Sequence, residues 1–501
     1  MNKANIEKLE ELFPSPSPPP NHICPQRLPG SNLESDRVLQ DILKKNHTDS
    51  HILRNEISYQ NHISHHVLAL YALGGSAPVL EAAYNEDNKK QRANFESPEV
   101  ITEGNFSLHL GDHKYYQAYF NFFSAYVLEN GAGAAMEEFV FSLKRNFDPE
   151  NDPEGKEQPE MLYRFVMDGL LHPMIHVGYG VEFGLPGLVA EGLAMAALHR
   201  GRSSVVYPPS LFSSGMPEEI ASTTPRLPDT AIGNIEGLAT KHETHAFSVL
   251  SRLLKDEHFD PTKCNWPREY PDFMLVAGGL MRDYGEQWSI DLSRPGELER
   301  KIEELSWMNV LIYGVSAWKE ERGLRADFIL MHIVTSALFL PSLLSTLSPR
   351  SQAILLRAHF TASLVQWVMR GRPSFPIKTF FATTSTLPST PSDSQPTPSA
   401  KALPSPTSPH AFTPNPWLPI IENALVHPDD HLCKLQRALV HFERVYGTRG
   451  PGYFAGTELE EAEYIDGSLF VRVAGMTAGQ LGWVREGQEA REFTFDAFFD
   501  D

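Results

Sequence analysis

The sequence predicts a mainly α protein, a large multi-helix, bundle-like body with an interior metal site and a small C-terminal β appendage. Three observations lead there. Apolar residues recur three and four apart through most of residues 60–450, the spacing of one helix face. Period-two alternation in that span rarely lasts beyond four residues. Histidines also stand inside the apolar runs, where a polar ring must find a partner or lose its hydration uncompensated.

Residues 1–45 are expected to form an N-terminal arm, because Pro14-Ser15-Pro16-Ser17-Pro18-Pro19-Pro20 favours extended polyproline geometry. The body, 46–378, begins its periodic pattern with a helix over 61–73, ended by Gly74-Gly75. Further helices are expected over 114–128 and 161–200, the latter breaking near Gly184-Leu185-Pro186. They continue over 242–254, 297–315, 326–340, 352–369 and 431–446. Residues 379–416 are rich in Pro, Ser and Thr and read as a low-complexity insertion. Residues 417–501 are expected to hold a C-terminal helix that completes the site. There Ser468-Leu469-Phe470-Val471-Arg472-Val473, after Asp466-Gly467, reads as a strand of a short β tail.

At 501 residues the chain can bury a large core. Sixty-three acidic against 43 basic residues give a net charge of −20, which disfavours nucleic acid and anionic lipid as partners. Three cysteines without CxxC spacing fit a reducing compartment, and no apolar segment near the start suggests a signal peptide, so a cytoplasmic protein is expected. The most apolar stretch, 328–344, contains His332, Thr335, Ser336 and Pro341 and reads as a core helix, not a membrane span. Oligomeric state stays open.

Familiar cofactor motifs are weak or missing. Gly131-Ala132-Gly133-Ala134-Ala135-Met136 follows a helical stretch and ends on Met, so it lacks the strand–turn–helix setting of a dinucleotide site. His242-Glu243-Thr244-His245 spaces its histidines three apart, where a zincin needs four.

The histidines carry the chemistry. His172 and His176 lie four apart and share a helix face, with Pro173 suited to a first turn. His62 and His66 form a second such pair, with His65 between them. His332 sits in Phe328-Ile329-Leu330-Met331-His332-Ile333, where nearly every neighbour is a core residue. His431 and Lys434 lie three apart, behind Asp429 and Asp430, which can cap the helix. Neutral imidazoles suit iron, zinc or copper. A helical bundle can aim them into one cavity, and the lack of repeated ExxH patterns favours a single metal. Glu182 and Glu191 are available to orient the rings. Within each histidine group, the ring that reaches the centre stays undecided.

These segments resemble the questin oxidase family of fungal secondary metabolism. The similarity rests on Asn61-His62-Ile63-Ser64-His65-His66, Leu171-His172-Pro173-Met174-Ile175-His176, the His332 segment and Asp430-His431-Leu432-Cys433-Lys434. It spans roughly residues 45–450. The resemblance implies an oxidoreductase: a non-haem iron oxygenase, Fe(II)/Fe(III), that uses molecular oxygen to cleave a ring of a flat polycyclic phenol or quinone of the anthraquinone type. It further implies His62, His172, His332 and His431 as ligands, Lys434 as a carbamylated ligand, and His176 as alternate ligand or base. NADPH is the candidate external reductant. A nicotinamide-dependent Baeyer–Villiger oxidation without flavin, or a non-catalytic carrier of an aromatic metabolite, are the rival readings. The expected pocket is apolar, with Tyr71, Tyr115, Tyr116, Tyr179 and Trp307 as candidate walls.

Overall fold

The computed structural model describes residues 3–55, 59–147, 158–201, 205–213, 243–260, 270–391 and 396–499. Apolar periodicity is satisfied by helices stacked around one continuous core. The expected helices form at Ile63–Ala72, Tyr116–Phe139, Ala246–Lys255, Pro349–Met369 and Leu432–Tyr446. The long 161–200 pattern resolves into three pieces, Met161–Val166, His172–Phe183 and Pro186–Leu198. The last break falls at Gly184, in left-handed geometry, just before Pro186. Glu297–Val310 continues as a π-helical turn over Leu311–Val315. His242 lies outside the described residues. His245 caps the helix that follows, its Nδ1 accepting from Phe247 N at 3.0 Å, while Glu243 pairs with Arg294 and Lys301.

Several helices were not expected. Lys3–Leu12 lies within the arm, Leu33–Asp49 runs from the arm into the body, and Ala77–Asn88 and Tyr270–Gln287 lie within the body. The Gly131 motif is a kink (φ 84°) inside Tyr116–Phe139. Ile377–Thr383 straddles the start of the Ser/Pro-rich stretch and buries Phe380.

The C-terminal β appendage is overturned. Residues 468–473 belong to helix Leu469–Leu481, because Leu469, Phe470, Val473, Ala474, Thr477 and Ala478 all fall on one buried face with helical spacing. The β-branched run Val-Arg-Val was too short to separate strand from helix. The one two-stranded ladder among the described residues is the hairpin Trp318–Lys319 with Gly323–Leu324, inside the body. The chain end is extended and makes a single parallel bridge, Thr494 to Asp327.

Four helices position the site. Ile63–Ala72 packs on His172–Phe183 and on Leu432–Tyr446, and Phe328–Ala337 packs on those same two. The four therefore close a ring. Phe328–Ala337 is fixed at its start by Asp327: Oδ1 accepts Leu330 N at 2.8 Å, and Oδ2 accepts Arg370 Nε at 2.9 Å and Nη2 at 2.6 Å. Asp327 is fully buried. Asp327→Ala removes a cap and leaves Arg370 without its carboxylate, so it should cost about 3 kcal/mol or more of unfolding free energy. Chemical denaturation of both proteins measures this, and a loss under about 1 kcal/mol would show that the pair does not hold the helix.

Candidate metal centre

Each ring enters from near the start of a helix. His62 and His431 are the residues just before Ile63–Ala72 and Leu432–Tyr446, His172 is the first residue of its helix, and His332 lies one turn into Phe328–Ala337. All four are buried. His62 Nε2 lies 2.8 Å from His172 Nε2, which lies 3.3 Å from His332 Nε2. The His431 ring completes the circle, 4.7 Å from His62 and 5.2 Å from His332 between centroids.

The opposite nitrogens decide what these atoms are. His172 Nδ1 is 2.7 Å from Gly169 O, and His332 Nδ1 is 2.7 Å from Phe328 O. A carbonyl only accepts, so both Nδ1 atoms carry the hydrogen. His62 Nδ1 faces Asp430 Oδ2 at 3.0 Å, and His431 Nδ1 faces Asp430 Oδ1 at 3.1 Å. In neutral rings each Nε2 then holds a lone pair. Burial pushes His62, His172 and His332 well below the ordinary imidazole range, so they are neutral. Three lone pairs thus face one another with no donor among them. His431 Nε2 is also buried without a partner.

This arrangement fits a cation. Two ligands about 2.1 Å from one ion at a right angle lie about 3.0 Å apart, the range in which these nitrogens sit. Ligating atoms of His62, His172 and His431 all lie within 4.8 Å of one another. His431 itself titrates upward: burial lowers it, but the Asp430 and Asp429 carboxylates more than offset burial. A proton and a cation compete for that Nε2.

Asp430 is the residue the sequence did not single out. Asp429 does the capping, its Oδ1 accepting from His431 N at 2.8 Å. Asp430 turns inward, touches His62 and His431, and accepts from Lys434 Nζ at 3.4 Å. Burial pulls its carboxyl up, but His431, Lys434 and His62 outweigh this and hold it well below the usual carboxylate range. Its position before a histidine, in the i−4 register to a buried lysine, was the available signal.

Gly169 is the second missed contributor. Gly169, Leu170 and Leu171 all have positive φ (72°, 53° and 66°), a strained turn that delivers the Gly169 carbonyl to His172. A Cβ on Gly169 would meet His199 Nε2 at 2.2 Å.

His176 lies outside the circle. Its Nδ1 is 3.0 Å from His65 Nε2 and its Nε2 is 2.9 Å from Glu191 Oε2. Glu191 Oε1 continues to His47 Nδ1 at 2.8 Å. A hydrogen-bonded chain thus runs from His65, stacked 6.2 Å from His172, to the partly exposed His47. Glu191 orients His176, as its sequence position allowed, whereas Glu182 pairs with Arg437. His66 turns away to Asp87 at 2.8 Å. His359 is buried on Ser336 Oγ at 2.9 Å.

Of the proposed walls only Tyr179 is close, stacked 5.3 Å from His65. Tyr71 bonds Asp36, Tyr115 stacks on His109, Tyr116 lies by His51, and Trp307 packs on Phe454 and Phe470. Helix rotation put those rings on other faces. The aromatic side of the centre is Phe328, 4.7 Å from His332 and 4.8 Å from His431, with Phe495 stacked on it at 4.5 Å.

Comparison with known proteins shows the family. The questin oxidase-like family model matches residues 59–439. The chain belongs to the questin oxidase-like family. It is 25% identical over 493 aligned positions to the oxidoreductase AflY of Aspergillus parasiticus, covering 92% of this chain and 84% of that protein. It is 26% identical over 447 positions to the questin oxidase of Aspergillus fumigatus, covering 87% and 86%. A shorter match, 31% over 176 positions, joins it to the Baeyer–Villiger oxidase ptaJ of Pestalotiopsis fici, covering 34% and 36%. The chain is an oxidoreductase of this family, with a buried cluster suited to a metal ion. Among the described residues no helix is long and apolar enough to cross a membrane.

The neutral rings also set a pH dependence. Burial lowers His51 and His199 to about 4, and His359 and His441 to about 3. Above about 6.5 these rings are neutral in both folded and unfolded chains, and their contribution is complete. Below it the unfolded chain takes up protons that the folded one refuses, so stability falls as pH falls, by up to about 1.4 kcal/mol per pH unit for each ring. His66, raised against its burial by Cys433 and Asp87, and His431, raised by its carboxylate neighbours, act in the opposite sense but are fewer. The urea midpoint should therefore drop between pH 7 and pH 5. A flat or rising midpoint would mean that these rings are not held neutral.

Proposed function

We propose that this protein is a non-haem iron oxygenase that oxidatively cleaves a ring of an anthraquinone-type aromatic polyketide. The observation that carries the reading is the convergence of unprotonated Nε2 atoms from His62, His172 and His332, with His431 beside them, in a questin oxidase-like chain. These four histidines would hold the iron. The bound ion would supply the one-electron chemistry that lets molecular oxygen react with an electron-rich phenol or quinoid ring.

The chain's own residues do the rest. Asp430 accepts Nδ1–H from His62 and His431, fixes both rings and makes them better donors. Burial keeps water away from the rings. Phe328 and Phe495 offer a flat aromatic surface beside His332 and His431 for a planar substrate. His176, bonded on both sides, passes a proton between His65 and Glu191, acting as base and not as ligand. Lys434 is the candidate for a carbamate. Its Nζ is buried beside Asp430, one turn beyond His431, where the added carboxylate would give a neutral histidine set an anionic ligand.

Metal analysis of protein purified without chelators should find about one iron per chain, and His332→Ala should lose most of it while keeping its helical content. A folded His332→Ala protein with unchanged metal removes His332 from the site. Lys434→Ala should abolish oxygen consumption with a hydroxyanthraquinone, and intact-protein mass should include one carbon dioxide more than the sequence. Full activity in Lys434→Ala rejects the carbamate. The same assay with and without NADPH tells whether an external reductant is drawn in. Metal-free protein that still binds the ring compound would instead favour a carrier.

A further inference from the structure

The cleft between residues 25–28 and the later turns of helix Leu432–Tyr446 departs from the charge of the chain around it. The protein carries −20 overall, yet Arg27, Arg437 and Arg444 line this one space of about 290 Å³. Arg437 is 3% exposed. Its Nη2 meets Glu182 Oε1, but Nε and Nη1 are buried with no hydrogen-bond partner. Arg27 donates Nη2 to Ser17 O and leaves Nε buried without one. Among the described residues neither Arg27 nor Arg444 is ion-paired to a carboxylate. His441, 7% exposed, adds an unpartnered Nδ1. Unmet guanidinium donors in a buried setting cost free energy unless an acceptor arrives.

Apart from Gln26, the remaining walls are apolar, among them Leu28, Leu73 and Val440. A bare inorganic anion would satisfy the arginines and leave these walls in water. A neutral molecule would do the reverse. The volume lies at the lower end for small-molecule sites, enough for one substituted ring and short of a fused tricycle. The cleft is also separate from the metal centre. The Arg437 guanidinium lies 5.5 Å from the Tyr179 ring, Tyr179 lies 5.3 Å from His65, and His65 lies 6.2 Å from His172.

We propose that this cleft binds a small organic carboxylate with a ring-sized apolar body, the carboxylate on Arg437, Arg27 and Arg444 and the body against Leu28, Leu73 and Val440. Planar, multidentate guanidinium contacts are the usual recognition of a carboxylate.

Calorimetric titration of the full-length, metal-containing protein with benzoate tests this. Benzyl alcohol supplies the ring without the charge, and inorganic phosphate the charge without the ring. Benzoate should bind at least about tenfold more tightly than either, since a charge-assisted contact, which benzyl alcohol lacks, and burial of the ring, which phosphate lacks, are each worth at least about that factor. Arg444→Ala removes an exposed cation, and Val440→Phe fills the apolar side. Each should weaken benzoate about tenfold or more while leaving metal content and thermal unfolding unchanged. Arg437→Gln is the direct substitution but disturbs buried Glu182, so the other two variants carry the decision. Absence of binding, equal binding of either control, or benzoate affinity unmoved by both variants would overturn the proposal. The last result would place benzoate elsewhere, at the metal for example.

Discussion

The structure of the centre depends on hydrogen bonds made by the outward nitrogens of its histidines. Gly169 O, Phe328 O and the Asp430 carboxylate each take an Nδ1–H, and this alone fixes which nitrogen of each ring is left to face inward. A typical hydrogen bond of this kind contributes only about 1 kcal/mol net. Its larger effect is on identity: it turns each imidazole into a lone-pair donor of known direction. The inward nitrogens, with no protein partner for their lone pairs, are a cost that a shared cation removes.

Other parts of the fold keep those acceptors in place. The three-residue left-handed turn before His172 stores strain of order 1–3 kcal/mol per unusual residue, and it puts one carbonyl where the ring needs it. Asp327 and Arg370 pin the start of the His332 helix, and Thr494 bridges the same point from the chain end. Three of the four rings sit at helix starts, where aligned peptide dipoles favour negative charge. The half-buried Asp430 carboxylate answers that field and offsets the charge of Lys434. A cation added to the circle therefore enters a site whose neighbouring carboxylates, Asp429 and Asp430, are already engaged. That is the electrostatic opening an additional anionic ligand from Lys434 would fill.

Polar groups radiate from this centre in two directions. One is the chain His65–His176–Glu191–His47, a continuous path of hydrogen bonds toward the partly exposed side of His47. The other passes through Tyr179 to Arg437, where donors outnumber the acceptors the chain provides. Both pass through helix His172–Phe183, which contributes His172 to the circle, His176 to the first path and Tyr179 to the second.

The sequence by itself determined the helical class and drew attention to the histidines that the fold brings together. Helical spacing of apolar residues needs no tertiary information, and His332 among core residues, like His172 just before Pro173, was conspicuous without it. What it could not determine was which face each ring or carboxylate would meet. Asp429 and Asp430 are identical neighbours in the turn before the helix, yet Asp429 takes the cap and Asp430 is left to face the histidines. His62 and His65, three positions apart, turn to different partners, and Tyr71, Tyr115, Tyr116 and Trp307 sit on faces that point away from the histidines. The segment after Ser468 reads equally as strand or helix until a neighbouring face demands the helical stripe. Residue type and period are local properties of the chain. The direction of a side chain relative to a distant helix is not, and only packing decided it.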